Sequence, residues 1–284
     1  MFGHRKDGRR IKNMPAFFKV IPYIMKERSD SHVYYTQDIE VKYIDEYIDR
    51  VKKEKDIKLS YMNIIYAAIV RLLAERPGLN RFVINGRTFA RDGIYVSLAI
   101  KKDMTDGGEE TTLKIRFDGS ENIFEIAEKL NKTIKANKET TEDNTTSNFA
   151  KILSHVPNFV IRLVVNFLIW SDKHGIMPKA VIDLSPFHTS AFLTNMGSLG
   201  IDAIYHHIYN FGTCGIFIAM GKRKKGWIYE EDEIKQEKSM SIAIVGDERI
   251  CDGFYYASSM KLLLKYLMKP EVLEANIVPK QDIE

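Results

Sequence analysis

Apolar and polar positions alternate along the chain in short blocks whose period changes from strand-like to helix-like. Residues 33–41 (VYYTQDIEV) are rich in β-branched and aromatic side chains and predict a strand, and a helix is expected over 43–54. A stronger helix is predicted from an N-cap at Ser60 to Arg76. Its Ile64, Ile65, Ala68, Ile69, Leu72 and Leu73 recur at helical spacing, and Pro77-Gly78 stops it. Two strands follow around Asn85-Gly86, a favoured hairpin turn, and residues 94–100 and 111–117 extend the sheet. Ser120 is expected to cap a helix running to about Ala136, ahead of a polar loop at 137–148. The last third predicts strands near 190–195, 214–220 and 239–246 and a closing helix from about Tyr255 to Met268. Lys222-Arg223-Lys224-Lys225, before Gly226, reads as a solvated hairpin turn. No internal repeat is visible, and the mixture predicts an α/β fold with a mixed sheet.

One block stands apart. Residues 159–170 (FVIRLVVNFLIW) are almost wholly apolar, with Arg162 and Asn166 sharing one edge. As a helix of this length it would span roughly 18 Å, too little for a bilayer. The expectation is a helix packed on the core or on a neighbouring subunit. A lid over an acyl chain and a membrane-surface helix are the alternatives.

Composition narrows the classes. With 284 residues, 45% of them hydrophobic, the chain can bury a sizeable core, as one large domain or two small ones. Its 42 basic and 38 acidic residues leave an excess too mild to predict nucleic-acid binding. Cys214 and Cys251 are the only cysteines, which predicts neither a disulfide framework nor a metal site and fits a cytoplasmic location. The basic N-terminus lacks a signal-peptide pattern, and no uninterrupted apolar run of about 18 residues predicts a transmembrane helix.

Two short stretches carry chemistry. Asp247-Glu248-Arg249-Ile250-Cys251-Asp252-Gly253 lies between a predicted strand and a predicted helix. It resembles the His-x-x-x-Asp-Gly motif of chloramphenicol acetyltransferase and of the dihydrolipoyl acyltransferase catalytic domains of 2-oxoacid dehydrogenase complexes. Phe192-Leu193-Thr194-Asn195-Met196-Gly197-Ser198-Leu199-Gly200 is similar to the Phe-Thr-x-Ser-Asn-x-Gly segment of the same acyltransferases. The order of elements in the N-terminal half also follows that family. The resemblance covers most of residues 10–270 and implies a single catalytic domain over 1–284, with about 140–185 reading as an insertion and no lipoyl or subunit-binding domain expected.

The resemblance implies a chloramphenicol acetyltransferase-like α/β fold, a homotrimer with sites between subunits, and CoA or acyl-CoA as co-substrate, with no metal and no lipoyl group on this chain. The acceptor would be a small molecule or an acyl carrier. Carried over by position, Glu248 falls where the family has its catalytic histidine, and Thr194 falls where the dihydrolipoyl acyltransferases have a serine hydroxyl. Asp252 matches the motif aspartate that orders the site, and Gly253 opens the turn into the helix.

In such a reaction a base takes the acceptor's proton and a hydroxyl donates to the oxyanion. Glutamate starts about 4 pKa units below a thiol, against about 2 for histidine, so it faces about 3 kcal/mol of extra uphill proton transfer. Burial would remove most of that handicap. His188 is the candidate replacement base, six positions before Thr194, whereas adjacent His206 and His207 would face opposite ways on a strand. The plainer readings stay open: a surface or salt-bridged carboxylate for Glu248, a strand hydroxyl for Thr194, a turn residue for Asp252 and a structural imidazole for His188. Two functions are therefore carried forward, a divergent CoA-dependent acyltransferase and an inactive trimeric scaffold or ligand-binding protein of the same fold.

Overall fold

The structure, a computed structural model, describes residues 5–101, 110–139, 156–230 and 232–283. Most of the predicted 137–148 loop, and the start of the 140–185 segment, lie outside the described residues. In chain order the first half holds β1 (Gly8–Arg10), α1 (Ala16–Ile24), β2 (His32–Glu40), α2 (Lys42–Lys55), α3 (Tyr61–Glu75), β3 (Arg81–Ile84) and β4 (Arg87–Arg91). The central strands and helices are β5 (Ile94–Lys101), β6 (Glu110–Phe117), α4 (Ile123–Glu139), α5 (Asn158–Lys173) and α6 (Lys179–Leu184). The chain ends with β7 (Ala191–Asn195), β8 (Ile216–Glu230), β9 (Glu233–Asp247) and α7 (Gly253–Met268).

The main sheet has the order β2-β9-β8-β7-β5-β6, and a small second sheet has the order β1-β4-β3. β7 runs parallel to both β5 and β8 while the other neighbours are antiparallel, so the sheet is mixed. Period-two alternation gives it two apolar faces. Ile216, Ile218, Met220, Ile242 and Ile244 join the large core under the helices, whereas Phe217, Ala219, Ala243 and Val245 face the other way. α3 is buried on every side from Asn63 to Ala74, because the sheet lies beneath it and α4 and α7 flank it. Its Tyr66 hydroxyl donates to the Val96 carbonyl at 2.8 Å, which fixes the helix on β5.

The start of α3 shows why the sequence was readable there. The Ser60 side chain accepts from the Asn63 backbone, and the Asn63 side chain accepts from the Ser60 backbone, a reciprocal cap. Asn85 and Gly86 both take left-handed backbone angles (φ 49° and 69°), the geometry a two-residue hairpin needs.

Several expectations are corrected. α4 is capped by Asn122, whose side chain accepts from the backbones of Phe124 and Glu125, rather than by Ser120. The Ser120 carbonyl instead accepts from Asn276 and Ile277 of the C-terminal segment. Lys222–Lys225 lies inside β8, not at a turn: β8 and β9 run on as a two-stranded ribbon and reverse at Asp232 (φ 65°). His206 and His207 lie outside any strand; His206 stacks on Phe217 and His207 meets Tyr209 edge-on. The apolar block at 159–170 is helical as α5, but the only buried residues on that helix are Ser171 and Asp172. Its apolar side chains therefore do not pack into the core of this chain. No helix among the described residues is long and apolar enough to cross a membrane.

Candidate functional site

Thr194 sits on β7 opposite Ala219, on the face shared with Phe192 and Phe217 and away from α3. It is half-buried, with its hydroxyl 3.7 Å from the Met196 sulfur. The strand ends in a tight turn built by the motif itself. The Asn195 side chain accepts from the Ser198 backbone at 3.1 Å, and the Ser198 hydroxyl donates to the Asn195 carbonyl at 2.7 Å. Gly197 lies so close to β8 that a Cβ there would stand 2.6 Å from the Gly221 carbonyl oxygen. That contact is what the motif glycine permits.

Next to this turn is a polar cluster that sequence reading did not find. Asp202 accepts from the Ser241 hydroxyl and the Ala203 backbone, and Lys224 bridges it to Asp38, each 3.2 Å from the amine. The Ser241 hydrogen bond and the Lys224 charge hold the Asp202 carboxyl below the usual range. Lys224 is thus occupied by carboxylates.

Glu248 begins the turn from β9 into α7. Its side chain is exposed, and its backbone N–H donates to the Ser31 carbonyl at 2.8 Å. The residues on either side do the anchoring. Asp247 is fully buried, with Arg249 Nε and Nη2 at 2.8 and 2.7 Å, Arg28 Nε at 3.4 Å and the Ser31 hydroxyl donating at 2.9 Å. Burial alone would raise the Asp247 carboxyl, but the hydrogen bonds and charge of Arg249 and the charge of Arg28 carry it below the ordinary carboxylate range. Asp252 caps α7 by accepting from the Tyr255 backbone at 2.7 Å.

His188 lies at the other end of β7 from Thr194 and is 1% exposed. Its Nδ1 is 2.8 Å from the Ser185 hydroxyl and its Nε2 is 3.3 Å from Asp172 Oδ1. Asp172 in turn pairs with Arg5, which also pairs with Asp7. Burial lowers the His188 imidazole below its usual range despite Asp172. The sequence spacing suggested that His188 and Thr194 share a pocket; the strand between them separates the two.

Register gives the separation of the two motifs. Thr194 is level with Ala219, Ala219 is level with Ala243, and Glu248 lies five residues farther along. At about 3.3 Å per residue along a strand and about 4.8 Å between strands, Thr194 and Glu248 are about 19 Å apart. Two clefts, of about 450 and about 630 Å³, lie elsewhere and are lined by none of Thr194, Glu248, Asp252 or His188. Both cysteines are buried and free, and among the described residues no group of three or more His, Cys, Asp or Glu could hold a metal.

This element order, a mixed six-stranded sheet with α2, α3, α4 and α7 on one face, matches solved structures over almost the whole chain. The fold is that of chloramphenicol acetyltransferase. A chloramphenicol acetyltransferase structure aligns with a TM-score of 0.55 at 13% identity, covering 92% of this chain and 99% of that one. The dihydrolipoamide acetyltransferase of Azotobacter vinelandii aligns at 0.59 and 14% identity, covering 93% of each chain. A truncated catalytic core of the 2-oxoacid dehydrogenase complex from Thermoplasma acidophilum aligns at 0.54 and 15%, covering 92% of this chain and 99% of that one. By sequence, residues 187–275 match the family described as 2-oxoacid dehydrogenases acyltransferase (catalytic domain). That match spans both Phe192–Gly200 and Asp247–Gly253. No curated protein matches the sequence.

Proposed function

We propose that this chain is a divergent CoA-dependent acyltransferase, a single catalytic domain that works as a homotrimer with each site shared between two subunits. The observation that carries this reading is the separation of about 19 Å between Thr194 and Glu248 within one chain. One chain cannot bring both motifs to one reacting atom, whereas the C-terminal end of β7 of one subunit can face the 247–253 turn of the next. In that arrangement the Thr194 hydroxyl donates to the oxyanion, Glu248 faces the acceptor thiol or hydroxyl, and Asp252 holds the turn by capping α7. His188 is set aside as the base, since its ring is buried and both nitrogens already face Ser185 and Asp172.

A second reading, a trimeric scaffold or ligand-binding protein without turnover, draws support from the exposed Glu248 side chain. A carboxylate in solvent lacks the apolar surroundings that turn a glutamate into an effective base.

Calorimetry with CoA, and acetyl transfer from acetyl-CoA to dihydrolipoamide and chloramphenicol, test the proposal. The expected result is CoA binding with little turnover, because general-base assistance is worth roughly 10²–10⁴-fold. Glu248→His should raise turnover measurably, and Thr194→Val added to it should lower turnover again. No CoA binding by wild type or Glu248→His would overturn the acyltransferase reading in favour of the scaffold. A monomer mass by light scattering across micromolar concentrations would overturn the shared site.

A further inference from the structure

α5 is the least accommodated element of the fold. Phe159, Leu163 and Phe167 are each more than half exposed, Trp170 nearly so, and no apolar residue of the helix is buried. Its attachment is at the C-terminal end, where Asp172 is buried in the ion pair with Arg5 at 2.8 Å. α1 buries Ile21 and Pro22 but leaves Phe17, Val20, Tyr23 and Ile24 each more than half exposed. The two helices end beside each other. Lys173 pairs with Glu27 at 3.4 Å, just past the ends of α5 and α1. The Tyr23 ring covers Gly86 of the β3–β4 turn, and Asn85 and Arg87 of that turn line a small cavity with Lys173 and His174.

The exposed charge carried on the two helices themselves has one sign. Residues 10–26 contain Arg10, Lys12, Lys19 and Lys26, all exposed, and no acidic residue. Residues 158–171 contain the exposed Arg162 and no acidic residue. Of the acids next to the helix ends, Asp172 pairs with Arg5 and Glu27 with Lys173. α5 is about 24 Å long, too short to span a bilayer but long enough to lie in its interface.

We propose that α1 and α5 form a docking surface for an anionic membrane, with the exposed aromatic and aliphatic side chains entering the headgroup boundary and Lys19, Lys26 and Arg162 meeting lipid phosphates. Charge complementarity selects this occupant. Two copies of the patch related by a two-fold axis would set Lys19 and Arg162 against their own kind, with no exposed carboxylate on either helix to answer them, and the head-to-tail contact of a trimer is the alternative that the last arm of the test separates. An anionic bilayer satisfies both the apolar side chains and the cations. The inference is independent of the acyl-transfer reading.

The test uses the full chain with Trp227→Phe, so that Trp170 is the sole tryptophan, and vesicles of phosphatidylcholine with or without phosphatidylglycerol. The expected result is co-sedimentation and a blue shift of Trp170 emission with phosphatidylglycerol vesicles, weak binding to phosphatidylcholine alone, and loss at high salt. Leu163→Ser/Phe167→Ser should lower partitioning at least about tenfold. Lys19→Glu/Arg162→Glu, which leaves the apolar side chains intact, should abolish the preference for phosphatidylglycerol. Circular dichroism confirms that each variant is folded. Absence of a blue shift on phosphatidylglycerol vesicles overturns the proposal, as does binding that neither variant reduces. Dissociation of a larger assembly by Leu163→Ser/Phe167→Ser, without vesicle binding by the parent, would assign the patch to contact between copies and overturn it too.

Discussion

The turn that carries Glu248 depends on a buried charge cluster, and Asp247→Asn measures that dependence. Asp247, Arg28 and Arg249 are 0, 3 and 2% exposed, so no solvent compensates them. One carboxylate serves two guanidiniums, and each guanidinium also donates to backbone carbonyls that Asp247 itself does not touch. Arg28 reaches those of Tyr209 and Gly212, and Arg249 reaches those of Met25 and Lys26. The cluster thus ties together the chain before β2, the coil before β8 and the end of β9. Asparagine preserves the shape and one acceptor but removes the charge, leaving two buried cations without a counter-ion. Removing one partner of a buried pair costs about 3–5 kcal/mol. For a chain of this size each kcal/mol moves the midpoint by about 2–4 °C, so the expected loss is roughly 6–20 °C by calorimetry at neutral pH.

Two controls separate this mechanism from a generic core defect. Adding Arg249→Met to Asp247→Asn removes one uncompensated cation, so the double variant should be more stable than the sum of the single losses predicts. The carboxyl is held below its unfolded value, so its contribution is present above about pH 3.9 and is lost as pH falls through the folded value. Asp247→Asn should lack that acid-side loss. A midpoint shift under about 2 °C, or strict additivity with Arg249→Met, would refute the account of a compensated buried cluster.

His188, held neutral by burial, binds its proton at a lower pH than the unfolded chain does. Its stabilisation is complete above about pH 6.5 and declines as pH falls towards the folded value, and His188→Gln should flatten that slope in midpoint-against-pH curves. Gly197→Ala would place a methyl 2.6 Å from the Gly221 carbonyl; we expect a loss of about 1–3 kcal/mol in urea unfolding. Leu163→Ala on α5 should change stability by less than about 0.5 kcal/mol, since the side chain is mostly exposed, while Leu73→Ala in α3 should cost about 2–5 kcal/mol. Equal losses at Leu163 and Leu73 would show that α5 is packed after all.

The elements legible in the sequence were those whose signals are local. Ser60, Pro77-Gly78 and Asn85-Gly86 mark boundaries through caps, breakers and left-handed turns, and each acts within a few residues. Ser120 misled because the choice between Ser120 and Asn122 as cap depends on Asn276 and Ile277, more than 150 positions away, taking the Ser120 carbonyl. The 222–238 ribbon was misread because it runs past its neighbours and has no buried face to impose alternation, so Lys222–Lys225 looked like a turn. α1 was missed because Pro22 interrupts an otherwise amphipathic stretch. For α5 the periodicity pointed to a helix but could not say that its apolar side chains would stay outside the buried core of the described residues.

The candidate site divides in the same way. The resemblance made Thr194, Glu248 and Asp252 the candidates, yet their arrangement follows from strand register across β7, β8 and β9, which no local signal encodes. Register places the two motifs at opposite ends of the sheet, and that changes how Glu248 should be judged. Within one chain the Thr194 hydroxyl has only a sulfur at 3.7 Å for company, and the Glu248 side chain is exposed. The other motif residues have structural tasks that would hold them in place without any chemistry: Asp252 caps α7, Asn195 caps the turn after β7, and Gly197 lets that turn approach β8. Their presence therefore says little about catalysis. Thr194 and Glu248 are candidate positions to which the described fold gives no evident structural task, so on the proposed shared site their surroundings would be completed by a neighbouring subunit or a ligand. A test of function therefore belongs at those two residues, together with a measurement of the assembly state.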